Sequence, residues 1–205
     1  DYELFIQRVE KYIAAMADKT SPEAQGLTES SAWADFARAK LLSDKLQKKT
    51  EALLEIEALL KKWAEVKNVV LSASQWKIQN LIDQGKIAEA SAELEKFLKD
   101  NEKNPDAGGN LIEQVIEGIR KAIGQVQAKG GDEAKLASYR KSYLQLAARL
   151  YAPIKGKPIE DPTTNKVNEE SLTLTQLWID ALVQNDKGVE AMKLAVECRR
   201  IFNKG

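Results

Sequence analysis

The sequence predicts an all-helical protein built from repeated helical hairpins. Apolar residues recur at spacings of three and four in nearly every window, and strand-like alternation is almost absent. The 205 residues include only 11 Gly and 5 Pro, a composition that permits long helices. Residues 81–94 and 182–195 also resemble each other, because Leu, Lys, Glu and Ala recur in both at a constant offset. That offset is close to three helix–turn–helix units of about 34 residues each, which indicates a stacked helical repeat.

Composition and charge argue against several classes of function. Lys plus Arg and Asp plus Glu both number 31, so the formal net charge is zero and we expect no nucleic-acid partner. Apolar runs are shorter than the roughly 20 residues of a membrane span, so we expect no membrane insertion. The sequence has no histidine and no phosphate-binding or nucleophile motif, so we expect no catalytic residues, metal or cofactor. The single cysteine, Cys198, lies among apolar residues and is predicted to be a buried side chain.

The N-terminal part predicts several helices with one open boundary. Apolar residues from Phe5 to Met16 form one helical face, and Ser21-Pro22-Glu23 is typical of a helix start. No Gly or Pro then occurs between residues 27 and 84. The region near residues 30–67 is therefore one long helix or a helical hairpin broken near Lys48–Thr50. The lack of any turn residue favours the long helix.

A heptad pattern lies inside this region, at residues 42–63. Its members are spaced four and three residues apart: Leu42, Leu46, Lys49, Leu53, Ile56, Leu60 and Trp63. Such a seam could pair with a second copy of the chain, so a homodimer through residues 42–63 is one hypothesis.

The rest of the chain predicts further helical pairs. We expect helices at about 70–84 and 86–102 joined at Gly85, a break at Asn104–Gly109, and helices from Asn110 and from Asp132. Three prolines and Gly156 make residues 152–170 a loop. Thr173 is expected to cap a helix that ends near Asn185, and Asp186 to cap a last one that ends near Asn203. We expect one elongated domain over residues 1–205, with a sub-boundary near residue 68 that separates 1–67 from 68–205.

Two segments resemble tetratricopeptide repeats, in which a small residue lies where the two helices cross. In residues 71–105 the matching positions are Trp76, Leu81, Gly85, Ala90 and Pro105. In residues 172–205 they are Trp178, Leu182, Asp186, Ala191 and Cys198. The resemblance implies a right-handed α–α superhelix of stacked antiparallel hairpins.

The resemblance also implies a function and candidate site residues. Such repeats form non-enzymatic protein–protein interaction modules that bind a peptide or helix in a concave groove lined by the first helix of each hairpin. The groove-facing positions would be Gln75, Gln79 and Asp83 in the first segment and Gln176, Asp180 and Gln184 in the second. This lining is polar and favours hydrogen bonds to a peptide backbone. The alternative is a structural or oligomerisation protein that uses the seam at residues 42–63.

Overall fold

The computed structural model describes residues 2–16, 18, 20–103, 108–160, 163–164 and 166–202, and it is all-helical over these residues. The α-helices in this part of the chain are α1 (Tyr2–Ala15), α2 (Pro22–Asp44), α3 (Lys49–Lys62), α4 (Lys67–Asp83), α5 (Ile87–Asp100), α6 (Gly109–Ala128), α7 (Glu133–Tyr151), α8 (Glu169–Gln184) and α9 (Gly188–Phe202). Outside them, the described residues include a short 3-10 helix at Ala152–Ile154 and a bridge between Glu160 and Val167. The predicted helical class is confirmed.

The chain divides into two compact units, Asp1–Ala107 and Gly108–Gly205. Each unit contains consecutive helices that contact each other in chain order, and short turns make antiparallel hairpins of α2–α3, α4–α5, α6–α7 and α8–α9. Residue 68, where a sub-boundary was predicted, lies within the first unit, in the first turn of α4, and that sub-boundary stays a prediction. The single elongated domain stays a prediction. Residues 104–107 of the break predicted at Asn104–Gly109 and the predicted helix end at Asn203 lie outside the described residues.

The core of the first unit joins helices from successive hairpins. One cluster is formed by α2, α3 and α4: Ala32, Phe36, Ala39, Ile56, Leu59, Trp63, Val69 and Ala73. A second cluster contains Leu53 of α3, Leu81 of α4 and Ala90 of α5. Because each cluster draws on at least three helices, no hairpin of this unit buries its apolar face alone.

Two buried charged residues, Asp35 and Lys77, tie the same helices together. Asp35 of α2 is buried and accepts hydrogen bonds from the Trp63 indole Nε1 at 2.7 Å and from Lys62 Nζ at 3.2 Å. Lys77 of α4 is 8% exposed and pairs with Glu57 of α3 at 3.2 Å and Glu93 of α5 at 2.8 Å. The buried carboxylate of Asp35 and the buried ammonium of Lys77 are therefore both paired with hydrogen-bonding or oppositely charged side chains.

The long helix favoured for residues 30–67 is wrong, and the helical hairpin is correct. Helix α2 ends at Asp44, and Gln47 takes a left-handed conformation with φ of 56°. The turn is closed by Leu46 N–H donating to Leu41 O at 3.3 Å and by Lys48 N–H donating to Leu42 O at 2.9 Å. The heptad seam at residues 42–63 is therefore split between two helices, and Leu53, Ile56 and Trp63 are buried within the first unit.

In the second unit, the loop predicted at residues 152–170 is largely correct. Apart from the 3-10 turn, the described residues between Ile154 and Glu169 form no helix. Asn168 N–H donates to Ile159 O at 2.7 Å, which links the start of α8 to the middle of the loop. Helix α8 begins earlier than the predicted Thr173, because the Asn168 side chain accepts from Ser171 N–H at 2.9 Å and two acidic residues occupy the first turn.

Candidate functional site

A groove between α6 and α8 is the candidate site of the second unit. These are the first helices of successive hairpins, and α7 contacts both of them. The groove has a volume of about 360 Å³. It is lined by Glu113, Ile116, Glu117 and Arg120 of α6, Tyr143 of α7, and Thr173, Leu174, Gln176, Leu177 and Asp180 of α8.

The amphipathic pattern of α6 determines which of its side chains reach the groove. The apolar face of α6 is buried through Ile112, Val115, Ile116, Ile119 and Ile123. Glu113, Glu117 and Arg120 are exposed beside it at spacings of four and three residues, which places them on one face of the helix. On α8, Thr173, Gln176 and Asp180 follow the complementary spacing of three and four. Two helices thus present polar side chains to the same space.

Tyr143 forms the floor of the groove. Its side chain is fully buried, and its hydroxyl donates to Asp180 Oδ2 at 2.6 Å, with Leu177 O at 3.4 Å. Burial raises the pKa of the Tyr143 hydroxyl, and the hydrogen bond to the Asp180 carboxylate raises it further. The phenol therefore stays protonated across the neutral range and holds the Asp180 side chain in place.

Arg120 connects the two walls. Its Nε lies 3.6 Å from Asp180 Oδ2, and its Nη1 lies 3.7 Å from Glu117 Oε2. Lys121 also pairs with Glu117, at 3.5 Å on the solvent side. The side chains of Arg120, Glu117 and Lys121 are all more than half exposed, so these pairs contribute little to stability and can exchange partners.

Two of the six residues predicted from the sequence lie in this groove. Gln176 and Asp180 line its α8 wall. Gln184 lies one helical turn further along, as the last residue of α8, and is partly buried. Their part in binding stays a prediction, but Gln176 and Asp180 already share one surface with α6.

The other three predicted residues lie on α4 in the first unit. Gln75 and Gln79 are partly buried and Asp83 is exposed, and Gln79 Nε2 donates to Asp83 Oδ1 at 2.8 Å. The neighbouring face of α4 packs on α2, where Asn80 Nδ2 donates to Ser43 Oγ at 2.9 Å. Gln75, Gln79 and Asp83 therefore belong to a different unit from Gln176, Asp180 and Gln184.

Sequence reasoning missed the α6 and α7 side of the groove. Residues 110–151 form a hairpin longer than the repeat pattern, so Glu113, Glu117, Arg120 and Tyr143 were not aligned with any repeat position. The spacing of Glu113, Glu117 and Arg120 on the polar face of a strongly amphipathic helix was the available signal.

Other candidate features have structural explanations. Cys198 is buried as predicted, and burial raises the pKa of its thiol, which disfavours the reactive thiolate. Within the described residues, no group of three or more acidic, Cys or His side chains is arranged to hold a metal ion. Among the helices described, none combines the length and apolar character needed to cross a bilayer.

Comparison with known proteins returned structural neighbours only. No protein-family model matches the sequence, and no curated protein matches it either. The chain is similar to the crystal structure of a Podosopora anserina protein with nearly identical TPR-like repeats, assigned as a kinesin light chain. The identity is 16% and the TM-score 0.46, over 99% of this chain and 86% of that chain. A single-substitution variant of that protein gives 17% identity and a TM-score of 0.44, over 99% and 85% of the two chains.

Proposed function

We propose that the protein is a non-enzymatic interaction module that binds a peptide segment of a partner protein in the groove between α6 and α8. The observation that carries the proposal is the groove itself, because its walls come from the first helices of successive hairpins and include the predicted residues Gln176 and Asp180. Stacked helical hairpins commonly bind extended peptides on such a surface.

The lining of the groove supports binding of a peptide. It combines apolar side chains, Ile116, Leu174 and Leu177, with a small number of polar groups at its rim. Recognition sites generally pair an apolar surface with a few placed polar groups that fix orientation. Asp180 is held by the Tyr143 hydroxyl before any partner arrives, so little side-chain entropy is lost when it binds.

A peptide selection with a blocked variant tests the proposal. Gln176→Trp fills the groove from its exposed α8 wall, and Gln145→Trp places the same side chain at an exposed position of α7 outside the groove. Random peptides displayed on phage are selected for binding to the parent chain. The affinity of the selected peptides for the parent and for each variant is then measured by fluorescence anisotropy. We expect Gln176→Trp to weaken binding by about tenfold or more, equivalent to about 1.4 kcal/mol, and Gln145→Trp to leave it unchanged.

Two results would contradict the proposal. One is a selection that enriches no peptide sensitive to Gln176→Trp. The other is equal loss of binding in both tryptophan variants while circular dichroism shows both to be folded, since the groove would then have no special part.

A further inference from the structure

The size of the groove limits what part of a partner it can hold. A volume of about 360 Å³ lies near the lower end of the roughly 300–1,000 Å³ that is typical of ligand sites. This space accommodates one long side chain with its flanking backbone, whereas a whole helix needs a cylinder about 10 Å across. The partner is therefore anchored mainly by a single side chain.

The charges around the groove are unbalanced. Three carboxylates line it, those of Glu113, Glu117 and Asp180, against the single guanidinium of Arg120. Lys121 adds a cation near Glu117, but it lies on the solvent side and does not line the groove. The lining therefore carries a formal charge of −2 and favours a cation over an anion.

Carboxylate oxygens remain available to such a cation. Tyr143 and Arg120 both contact Oδ2 of Asp180, and the Asp180 side chain is 39% exposed, so its carboxylate is accessible to a cation in the groove. Glu113 makes no hydrogen bond or ion pair with any residue that the structure describes, and it is exposed at the rim. A guanidinium or ammonium group entering the groove meets acceptors on both walls.

We infer that the groove recognises a Lys or Arg side chain of the partner peptide, and this inference rests on the proposed function. The aliphatic stem of such a side chain packs against Ile116, Leu174 and Leu177, and its charged end reaches the carboxylates at the rim. The combination of apolar walls with an acidic rim matches this amphipathic side chain better than it matches an acidic or wholly apolar one.

Four peptide mixtures test the inference directly. Each is an N-acetylated, C-amidated hexapeptide mixture with Ala, Ser and Leu at the variable positions and one fixed central residue: Arg, Lys, Gln or Glu. Each is titrated into the ¹⁵N-labelled full chain at low salt, where screening is weakest. We expect changes in the backbone amide chemical shifts along α6 and α8 with the Arg and Lys mixtures, and much smaller changes with the Gln and Glu mixtures.

The outcomes separate the two proposals. Equal shifts along α6 and α8 with all four mixtures would leave peptide binding in place and overturn the basic anchor. Shifts with the Glu mixture alone would overturn it in favour of an acidic partner held by Arg120. No shift with any mixture would overturn the inference, and the phage selection with its Gln176→Trp comparison then decides peptide binding separately.

Substitutions at the rim give a second test, because removing a carboxylate and removing the guanidinium should change the binding affinity in opposite directions. Glu113→Gln and Glu117→Gln should each weaken binding of the Arg mixture about two- to fivefold, as expected for one exposed charge pair. Glu95→Gln, an exposed change on α5 outside the groove, is the matched control.

Arg120→Gln should instead strengthen binding of the Arg mixture, because it removes the competing cation, whereas Arg149→Gln on α7 should not. Weaker binding of the Arg mixture in Arg120→Gln would contradict a basic anchor.

Discussion

At the scale of single residues, the small side chains at the helix crossings are the most testable feature. Ala90 is fully buried between Leu53 and Leu81, and Ala191 is 4% exposed. Replacing either by Leu forces extra atoms into a close-packed crossing, which typically costs about 1–3 kcal/mol. We expect thermal melts of Ala90→Leu and Ala191→Leu to show a midpoint several degrees below that of the parent.

Neighbouring alanines provide the controls for these substitutions. Ala92 and Ala195 are exposed on α5 and α9, the same helices. Because Ala and Leu have similar helix propensities, Ala92→Leu and Ala195→Leu should melt within error of the parent. If the buried and exposed variants melted alike, the two alanines would not be packing positions and the repeat alignment would lose its support.

Lys77 gives a prediction about pH. Burial acts to lower its pKa, but the hydrogen bonds with Glu93 and Glu57 outweigh that effect and raise the pKa above 10.5. While both glutamates are ionised, the charged lysine therefore stabilises the fold fully below pH 10.5, and this contribution is lost as the pH rises through the raised folded-state pKa. We expect Lys77→Met to lower the free energy of unfolding by about 1–2 kcal/mol near neutral pH and by less in strong alkali.

Urea denaturation at several pH values measures this difference. Lys96→Met removes an exposed lysine from α5 and should change stability by less than about 0.5 kcal/mol at every pH. A difference between the parent and Lys77→Met that stayed constant from neutral to strongly alkaline pH would refute a contribution from the charged lysine.

At the scale of helices, the turn between α2 and α3 predicts an unusual effect of glycine. Gln47 has a φ of 56°, which is strained for a residue with a Cβ, although its side chain donates to Asp44 O at 3.1 Å. Gln47→Gly should therefore raise the free energy of unfolding by about 0.5–1 kcal/mol. Gln125→Gly, in the exposed interior of α6, should lower it by about 1 kcal/mol.

These two glycine substitutions also distinguish the hairpin from a continuous helix. In a single helix across residues 30–67, Gln47 would be an interior position and Gln47→Gly would destabilise the protein as Gln125→Gly does. Chemical denaturation of the parent and the two variants shows whether each substitution raises or lowers the free energy of unfolding.

The helices show what sequence patterns can predict. Gly85 correctly indicated the turn between α4 and α5, because it has a φ of 71° that glycine adopts without strain. Gln47 and Asp186 adopt the same region without being glycine, so residue type alone did not decide between one long helix and a hairpin broken near Lys48–Thr50. The start of α8 was placed too late because both Asn168 and Thr173 are good N-caps, and local preference alone does not choose between them.

Only two residues of the candidate site, Gln176 and Asp180, were predicted from the sequence, for a related reason. Gln176 and Asp180 were found through the repeat alignment, which assigns the inner face of a first helix. Arg120 and Tyr143 were missed because the distances that join them to Asp180 depend on how α6, α7 and α8 pack together. The sequence around Tyr143 gives no sign that its hydroxyl reaches α8.

At the scale of the whole molecule, the question is where the chain can be divided. A sub-boundary was predicted near residue 68, and the two compact units divide between residues 107 and 108. Residue 68 lies just after the turn between the packed helices α3 and α4. The buried cluster of Leu53, Leu81 and Ala90 contains residues from both sides of that turn, so the helices before and after it share a core.

Fragments of the chain therefore test the division. Each unit has its own buried core and a size of about 100 residues, which is sufficient for independent folding. We expect fragments 1–107 and 108–205 each to unfold cooperatively, with helical circular dichroism signals that add up to that of the full chain. Fragments 1–67 and 68–107 should lose much of their helicity, because the cut separates Leu53 from Leu81 and Ala90. The cut also separates Lys77 from Glu57, so that only Glu93 remains in the same fragment as Lys77. If 1–67 and 68–107 folded while 1–107 gained no further cooperativity, the boundary near residue 68 would be the true one.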